Sequence, residues 1–211
     1  MQDYYNRRAR EYEEIYSRDD PQRQFEQKQI ENCLRELVQD KTVLEVACGT
    51  GYWTQKIATN AAKILAVDYG ETVLRIAQAK SFPESVTFIQ DDAYLLDKVT
   101  EKSEVGFANF WISHVPKARL NRFFSAFHSK LSEGATIFFA DNVPVKGIGG
   151  DLIQEEGEVD TYKLRQLKDG SSHRVIKNYY SDEELFSLFK ESGKCLKVER
   201  GACFWRIQYK R

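Results

Sequence analysis

Three stretches of this 211-residue chain place chemically capable residues where an apolar run has just ended. In Val43-Leu44-Glu45-Val46-Ala47-Cys48-Gly49-Thr50-Gly51-Tyr52-Trp53, an acid lies inside an apolar run that breaks into a Gly-x-Gly turn. Gly49 and Gly51 permit a tight bend and let the backbone approach a ligand with no Cβ in the way. A helix starting near Tyr52 would direct free N–H groups at an anionic part of that ligand. Asp68 closes the next apolar run about 20 residues on, the spacing at which an acid reaches ribose hydroxyls. His114 follows a later run, in Phe110-Trp111-Ile112-Ser113-His114-Val115-Pro116. An imidazole there can act as a general base or orient an acceptor, and equally it can cap its own loop. Glu45 needs a partner, because an unpaired acid within a buried strand is costly.

The elements that must carry these residues alternate. Apolar runs at 42–47, 63–68, 86–90, 105–111 and 135–140 read as strands, with helical spacing at 52–59, 72–80 and 117–131 between them. The runs are nearly continuous rather than alternating, as expected of strands covered by helices on both faces. A mostly parallel, doubly wound α/β sheet with right-handed crossovers follows. Ligands bind such a sheet outside the carboxyl ends of its strands, where the strand order reverses. Before the first strand, a short tyrosine-bearing helix precedes a second helix after Pro21, with an apolar stripe at Phe25, Ile30, Cys33, Leu34, Leu37 and Val38. After Ala140 the rhythm breaks. Residues 160–167 and 173–179 flank a Lys-Asp-Gly-Ser-Ser turn and read as a β-hairpin. A capping box at Ser181 and Glu184 starts a last helix at 182–191. Two final runs, 196–200 and 203–209, are too close for a helical crossover and should pair antiparallel.

Composition narrows the partners. The net charge of -1 excludes a global positive field for nucleic acid, and Arg7, Arg8 and Arg10 are followed at once by Glu11, Glu13 and Glu14. Cys33, Cys48, Cys195 and Cys203 form no Cys-x-x-Cys pair and no zinc spacing, so no metal is expected, and Cys48 reads as a small filler. The polar start has no signal-peptide pattern and no run has transmembrane length, which predicts a cytoplasmic protein without a membrane partner. The sequence leaves the oligomeric state open.

The glycine turn resembles the first motif of class I S-adenosylmethionine-dependent methyltransferases, E/D-x-G-x-G-x-G. Here it is Glu45-Val46-Ala47-Cys48-Gly49-Thr50-Gly51, with alanine for the first glycine. LAVDYGETVLRIAQAK resembles the second motif, which implies ribose binding by Asp68 and an adenine lined by Tyr69 and Val73. VTFIQDDAY resembles the third, which implies that Asp92 accepts from the adenine amino group while the Ala93 backbone addresses the ring. GFANFWISHVP resembles the stretch after the fourth strand, near the methyl and the acceptor.

The resemblance implies S-adenosyl-L-methionine as cofactor, S-adenosyl-L-homocysteine as product, and a seven-stranded sheet whose last strand is antiparallel. It sets Glu45 opposite the sulfonium and ammonium charges, and extends the cofactor site to Ala47, Trp53, Thr54 and Phe110. Tyr5 would fold over the cofactor, with Tyr4 beside it toward the acceptor; a merely docked amphipathic helix is the plainer account of both. His114 is the candidate catalytic residue. Trp111 and His173 are candidate acceptor contacts, Trp111 serving equally as core. One domain over 1–211 is expected, with helices at 1–40 capping the site and an inserted hairpin lid at 143–180. The acceptor is expected to be a small molecule, since the signatures of nucleobase methylation are missing and the charge is neutral. A nicotinamide-dependent oxidoreductase is the alternative enzyme, motivated by the same Gly-x-Gly and Asp68. Thr54, where a third glycine would pack the helix, and the acidic Glu45 argue against it. A non-catalytic cofactor-binding protein of the same fold is the other alternative.

Overall fold

The structure is a computed structural model that describes residues 2–145 and 150–211. Helix α1 (Gln2–Arg8) runs into a 3₁₀ segment at Ala9–Ile15. Helix α2 (Pro21–Val38) starts with proline at its first turn and with Asp20 as N-cap, accepting from the Arg23 N–H at 3.0 Å. Its buried stripe is Ile30, Leu34 and Val38; Phe25, expected on that stripe, is 58% exposed. One residue on, in line with Ile30 four positions later, Glu26 takes the inward place. Its carboxylate accepts the N–H groups of Ala202, Cys203 and Phe204 at 2.8, 3.0 and 3.0 Å, fastening α2 to the carboxyl-terminal hairpin.

Strands β1 (Thr42–Val46), β2 (Lys63–Asp68), β3 (Val86–Gln90), β4 (Ser103–Asn109) and β5 (Leu131–Asn142) are parallel. Helices α3 (Tyr52–Ile57), α4 (Glu71–Gln78) and α5 (Leu120–Ser129) connect them. The insert holds β6 (Leu152–Ile153), β7 (Tyr162–Gln166) and β8 (Ser172–Ile176), a separate antiparallel sheet of three strands where a hairpin of two was expected. Part of the expected lid region, residues 146–149, lies outside the described residues. Helix α6 (Asp182–Phe189) begins at the capping box of Ser181 and Glu184 and leads to β9 (Lys194–Arg200) and β10 (Phe204–Lys210).

The large sheet has the order β3-β2-β1-β4-β5-β10-β9, with β10 antiparallel to both neighbours. Strand order reverses between β1 and β4, so the crevice lies over their carboxyl ends. Phe123, Phe127, Phe139, Phe189 and Tyr209 are fully buried and join α5, β5, α6 and β10 into one core. Each such ring contributes about 1.5–3 kcal/mol by burial. Two of the boundaries that differ from the sequence reading bear on the site. Strand β4 ends at Asn109, because Phe110 turns the chain with a positive φ of 57°, so Trp111 leaves the sheet. Strand β5 begins at Leu131, which pairs with Ser103, and this shortens the helix expected to reach residue 131.

Candidate active site

The β1–α3 turn and the end of β2 are tied by one carboxylate. Asp68 accepts from the Gly49 N–H through one oxygen and from the Gly70 N–H through the other, each at 2.8 Å. Burial raises its pKa, against the pull of those N–H donors. The clamp orients the glycine turn beside a cavity of about 470 Å³. Gly49, with φ of 57°, has open space where a Cβ would stand and lines this cavity. Gly51 does not. Its φ is 76°, and an added Cβ would stand 3.2 Å from the Ala77 Cβ and 3.3 Å from Phe82, so it serves packing rather than the ligand.

Glu45 and Thr54 differ from expectation in the same way. Thr54 donates to Glu45 at 2.6 Å, and both are buried behind the turn, off the cavity wall. Burial raises the Glu45 carboxyl to about 8 despite that bond. Trp53 packs against Tyr16 and Phe110, also behind the wall. The strand direction explains this: Glu45 points into the layer under α3, while Val46 and Ala47 end the strand at the crevice.

The other cofactor candidates converge on the cavity. Ala47, Tyr69, Val73, Asp92 and Ala93 line one side, Tyr5, Phe110, Trp111 and His114 the other. Ala47 holds a φ of 57° where the related motif has glycine. Asp92 accepts from the Tyr94 N–H at 2.8 Å, which fixes its carboxylate at the end of β3. Among residues missed from sequence, Tyr12, Asp91, Asn109, Tyr94 and Arg119 also line the wall. Asn109 carries the clearest signal: like Asp68, it is a polar residue ending an apolar strand. Its amide nitrogen and oxygen are buried without a protein partner, as is the Trp111 indole nitrogen. Such buried groups call for a ligand or water. An open glycine turn, an anchored carboxylate and these free polar atoms fit a nucleoside bearing an amino-acid chain.

A second, smaller cavity of about 80 Å³ shares Tyr5, Tyr12, Phe110 and His114 with the first and adds Tyr4. His114 stands on the shared wall. Its Nδ1 lies 2.7 Å from the Ile176 carbonyl, which can only accept, so Nδ1 carries the hydrogen and Nε2 of the neutral ring is unprotonated. Burial, then the Lys177 charge, holds the imidazole well below its ordinary pKa. Next to it, Asp141 at the end of β5 accepts from the Ser113 N–H at 2.8 Å and the Ser113 hydroxyl at 2.9 Å. Lys177 donates to that hydroxyl at 2.6 Å and lies 3.3 Å from Asp141. Burial works to raise the Asp141 carboxyl, but Lys177 and these donors hold it below its usual range. Asn178 extends the network, its N–H donating to the Ser113 carbonyl and its amide to Asp160. The insert is thereby stapled to the loop carrying His114.

The amino-terminal segment closes the remaining side. Glu13 accepts from Thr50 at 2.6 Å, Lys168 pairs with Glu14 across to the insert, and Tyr4 packs with Leu167 and Val175. His173 is not brought to either cavity; it bonds Ser171 at 2.8 Å and rests beside Tyr4. Among the described residues no group of side chains could hold a metal ion, and no helix is long and apolar enough to cross a membrane.

Residues 43–134 match the family model described as Methyltransferase domain. Two solved structures, a DhpI-SAH complex and a DhpI-SAM-HEP complex, each share 25% identity with the chain at a TM-score of 0.78. They cover 100% and 99% of this chain, and 94% of the other chain in each case. The matched segment and these two structures support a class I S-adenosylmethionine-dependent methyltransferase. This methyltransferase also shares its fold with the PH0226 protein of Pyrococcus horikoshii OT3, at 18% identity and a TM-score of 0.75, covering 100% and 99% of the two chains. A sequence search of curated proteins finds no match. The match to a methyltransferase model sets aside the dinucleotide alternative that the same glycine turn had suggested.

Proposed function

We propose that this methyltransferase acts on a small-molecule acceptor, held between the cofactor cavity and the amino-terminal tyrosines. The observation that carries the reading is the placement of His114, whose ring lines both cavities at their junction. When bound, S-adenosylmethionine supplies a methyl group on a cationic sulfur. Asp68 offers its remaining lone pairs to the ribose hydroxyls, while Tyr69 and Val73 flank the base and Asp92 accepts from it. Asn109 lies between the strand ends, free to bond the amino-acid portion. Tyr5, Tyr12 and Phe110 wall the transfer point and exclude water, which favours an in-line displacement held at short range. His114 orients the acceptor through Nε2; its depressed basicity makes it a poor proton acceptor.

Residues 1–40 and the insert act as a cap, supported by the contacts of Glu13 with the glycine turn and of Glu14 with Lys168. A small molecule fits because the cavity on the acceptor side is only about 80 Å³. One similar structure, a DhpI-SAM-HEP complex, is in keeping with that. Calorimetric titration with S-adenosylhomocysteine, followed by mass spectrometry of cell extract incubated with methyl-labelled cofactor, tests the reading. Labelled small molecules are the expected result; label found only in protein or nucleic acid would overturn it.

A further inference from the structure

The smaller cavity has an unusual lining. Arg8, Arg18, Arg23, Arg165 and Lys177 contribute to it, and no Asp or Glu is among its described lining residues. Arg23 is 7% exposed, and its Nε is buried without a hydrogen-bond partner. Another guanidinium nitrogen donates to the Asn142 side chain at 3.1 Å, and the group lies over the Phe204 ring. Burial and then the Arg18 charge lower its pKa, against the opposing pull of Cys203, Asp20 and Tyr16. Arg8 likewise bonds the Tyr4 hydroxyl and lies over the rings of Tyr4 and Tyr12. Burial raises the Tyr12 phenol to about 12, so it remains a protonated donor rather than a competing anion. A buried guanidinium nitrogen without a partner is costly, and arginine forks match the paired oxygens of carboxylate or phosphoryl groups.

Size and position add to the charge. The space holds only a few heavy atoms, about the bulk of several waters, and it opens on the wall of His114, Phe110, Tyr5 and Tyr12. What reaches the methyl from there is the charged group itself or an atom next to it.

We infer that the acceptor is a small organic oxyanion, carboxylate or phosphoryl, seated among Arg8, Arg23, Arg165 and Lys177, and that its own charged oxygen is the atom methylated. This rests on the methyltransferase reading above and adds the substrate class. An oxygen lone pair forms the O–CH₃ bond as the S–CH₃ bond breaks, with the bonding pair left on sulfur. The acceptor loses one negative charge and the sulfonium its positive one, and no proton moves. A neutral hydroxyl would need a base, and the imidazole at the junction is held in its neutral, weakly basic form with Nδ1 committed to Ile176.

The test is calorimetry on the full-length protein loaded with S-adenosylhomocysteine, titrated with acetate, inorganic phosphate and the neutral acetamide. One of the two anions should bind and acetamide should not, the preferred anion telling carboxylate from phosphoryl. Arg23→Gln should weaken that anion at least tenfold while S-adenosylhomocysteine affinity holds; should buried Arg23 prove essential for folding, half-buried Arg8→Gln makes the same measurement. Binding of neither anion, equal binding of acetamide, or anion affinity unchanged in the folded variants would overturn the inference. Failure of the wild-type protein to bind S-adenosylhomocysteine would instead sink the methyltransferase reading. Electrophoresis of the labelled product from extract gives an independent readout: one negative charge fewer than its acceptor is expected, and an unaltered charge refutes attack by the oxyanion.

Discussion

The two cavities are built by opposite means. The larger is made at strand ends by short-range parts: a glycine turn, Asp68 at the end of the neighbouring strand β2, and the polar residues Asp91, Asp92 and Asn109 following or closing β3 and β4. Its charged groups are mainly acidic. The smaller is gathered from α1, α2, β8 and the end of β5, separated by more than a hundred residues along the chain, and its charge is basic. The difference suggests a division of labour. A constant ligand is met by backbone geometry that any sequence of this pattern can supply, and a particular ligand by side chains that outlying segments bring in. It also predicts different failures, since Asp68 in the first cavity should cost mainly affinity when lost, and the Lys177–Asp141 pair beside the second mainly stability.

The largest expected effect is in the second region. Lys177→Met leaves Asp141 buried with its charge uncompensated, and should cost about 3–5 kcal/mol in denaturant unfolding. If the pair rather than packing is responsible, adding Asp141→Asn should recover much of the loss. A loss below about 1 kcal/mol would mean that the insert is not held by this network.

Next comes Glu45, behind the first cavity. Its folded pKa of about 8 lies above that of the unfolded carboxyl, so the native state binds the extra proton. The resulting stability is complete below the unfolded pKa, near 4.3, and is lost as pH rises toward 8. Stability should therefore fall by a few kcal/mol across that window, and Glu45→Gln should flatten the profile and be the more stable protein at pH 8. A parallel pair of pH profiles for wild type and variant would remove Glu45 as the source.

Asp68→Ala is expected to weaken S-adenosylhomocysteine binding by about 1–3 kcal/mol, since the ribose and two backbone N–H groups lose their acceptor. The anion affinity of the second cavity should be unchanged. Loss of both affinities together would show that the two cavities are not independent.

The smallest effects separate the two glycines. Gly51→Ala should cost about 1–2 kcal/mol of stability, through its positive φ and the crowding at Ala77, with little change in cofactor affinity. Gly49→Ala carries a comparable backbone penalty but projects into the cavity, so its affinity should drop as well. Equal affinity losses in the two variants would contradict the assignment of Gly51 to packing.

What the sequence determined by itself was the strand–helix alternation, the glycine turn and the acids that follow it. Each depends on neighbours within a few residues: apolar runs of strand length, Gly49 before a helix, Asp68 at the end of β2. Ser181 and Glu184 announced α6 for the same local reason. The tertiary structure decided which side chains face the crevice. Glu45 and Gly51 look like ligand groups in a line of letters, yet the strand pleat and the helix behind it turn both inward, toward Thr54 and Ala77. Phe25 and Glu26 exchange expected places because three N–H groups from a turn over 170 residues away need the carboxylate more than the core needs the ring. Arg8, Arg23 and Lys177 had no local mark at all. Charged residues on amphipathic elements read as solvent-facing, and only the packing of the amino-terminal segment, α2 and the insert over β4 and β5 turns them toward one another, since a charge cluster is a property of distance in space and not of spacing along the chain.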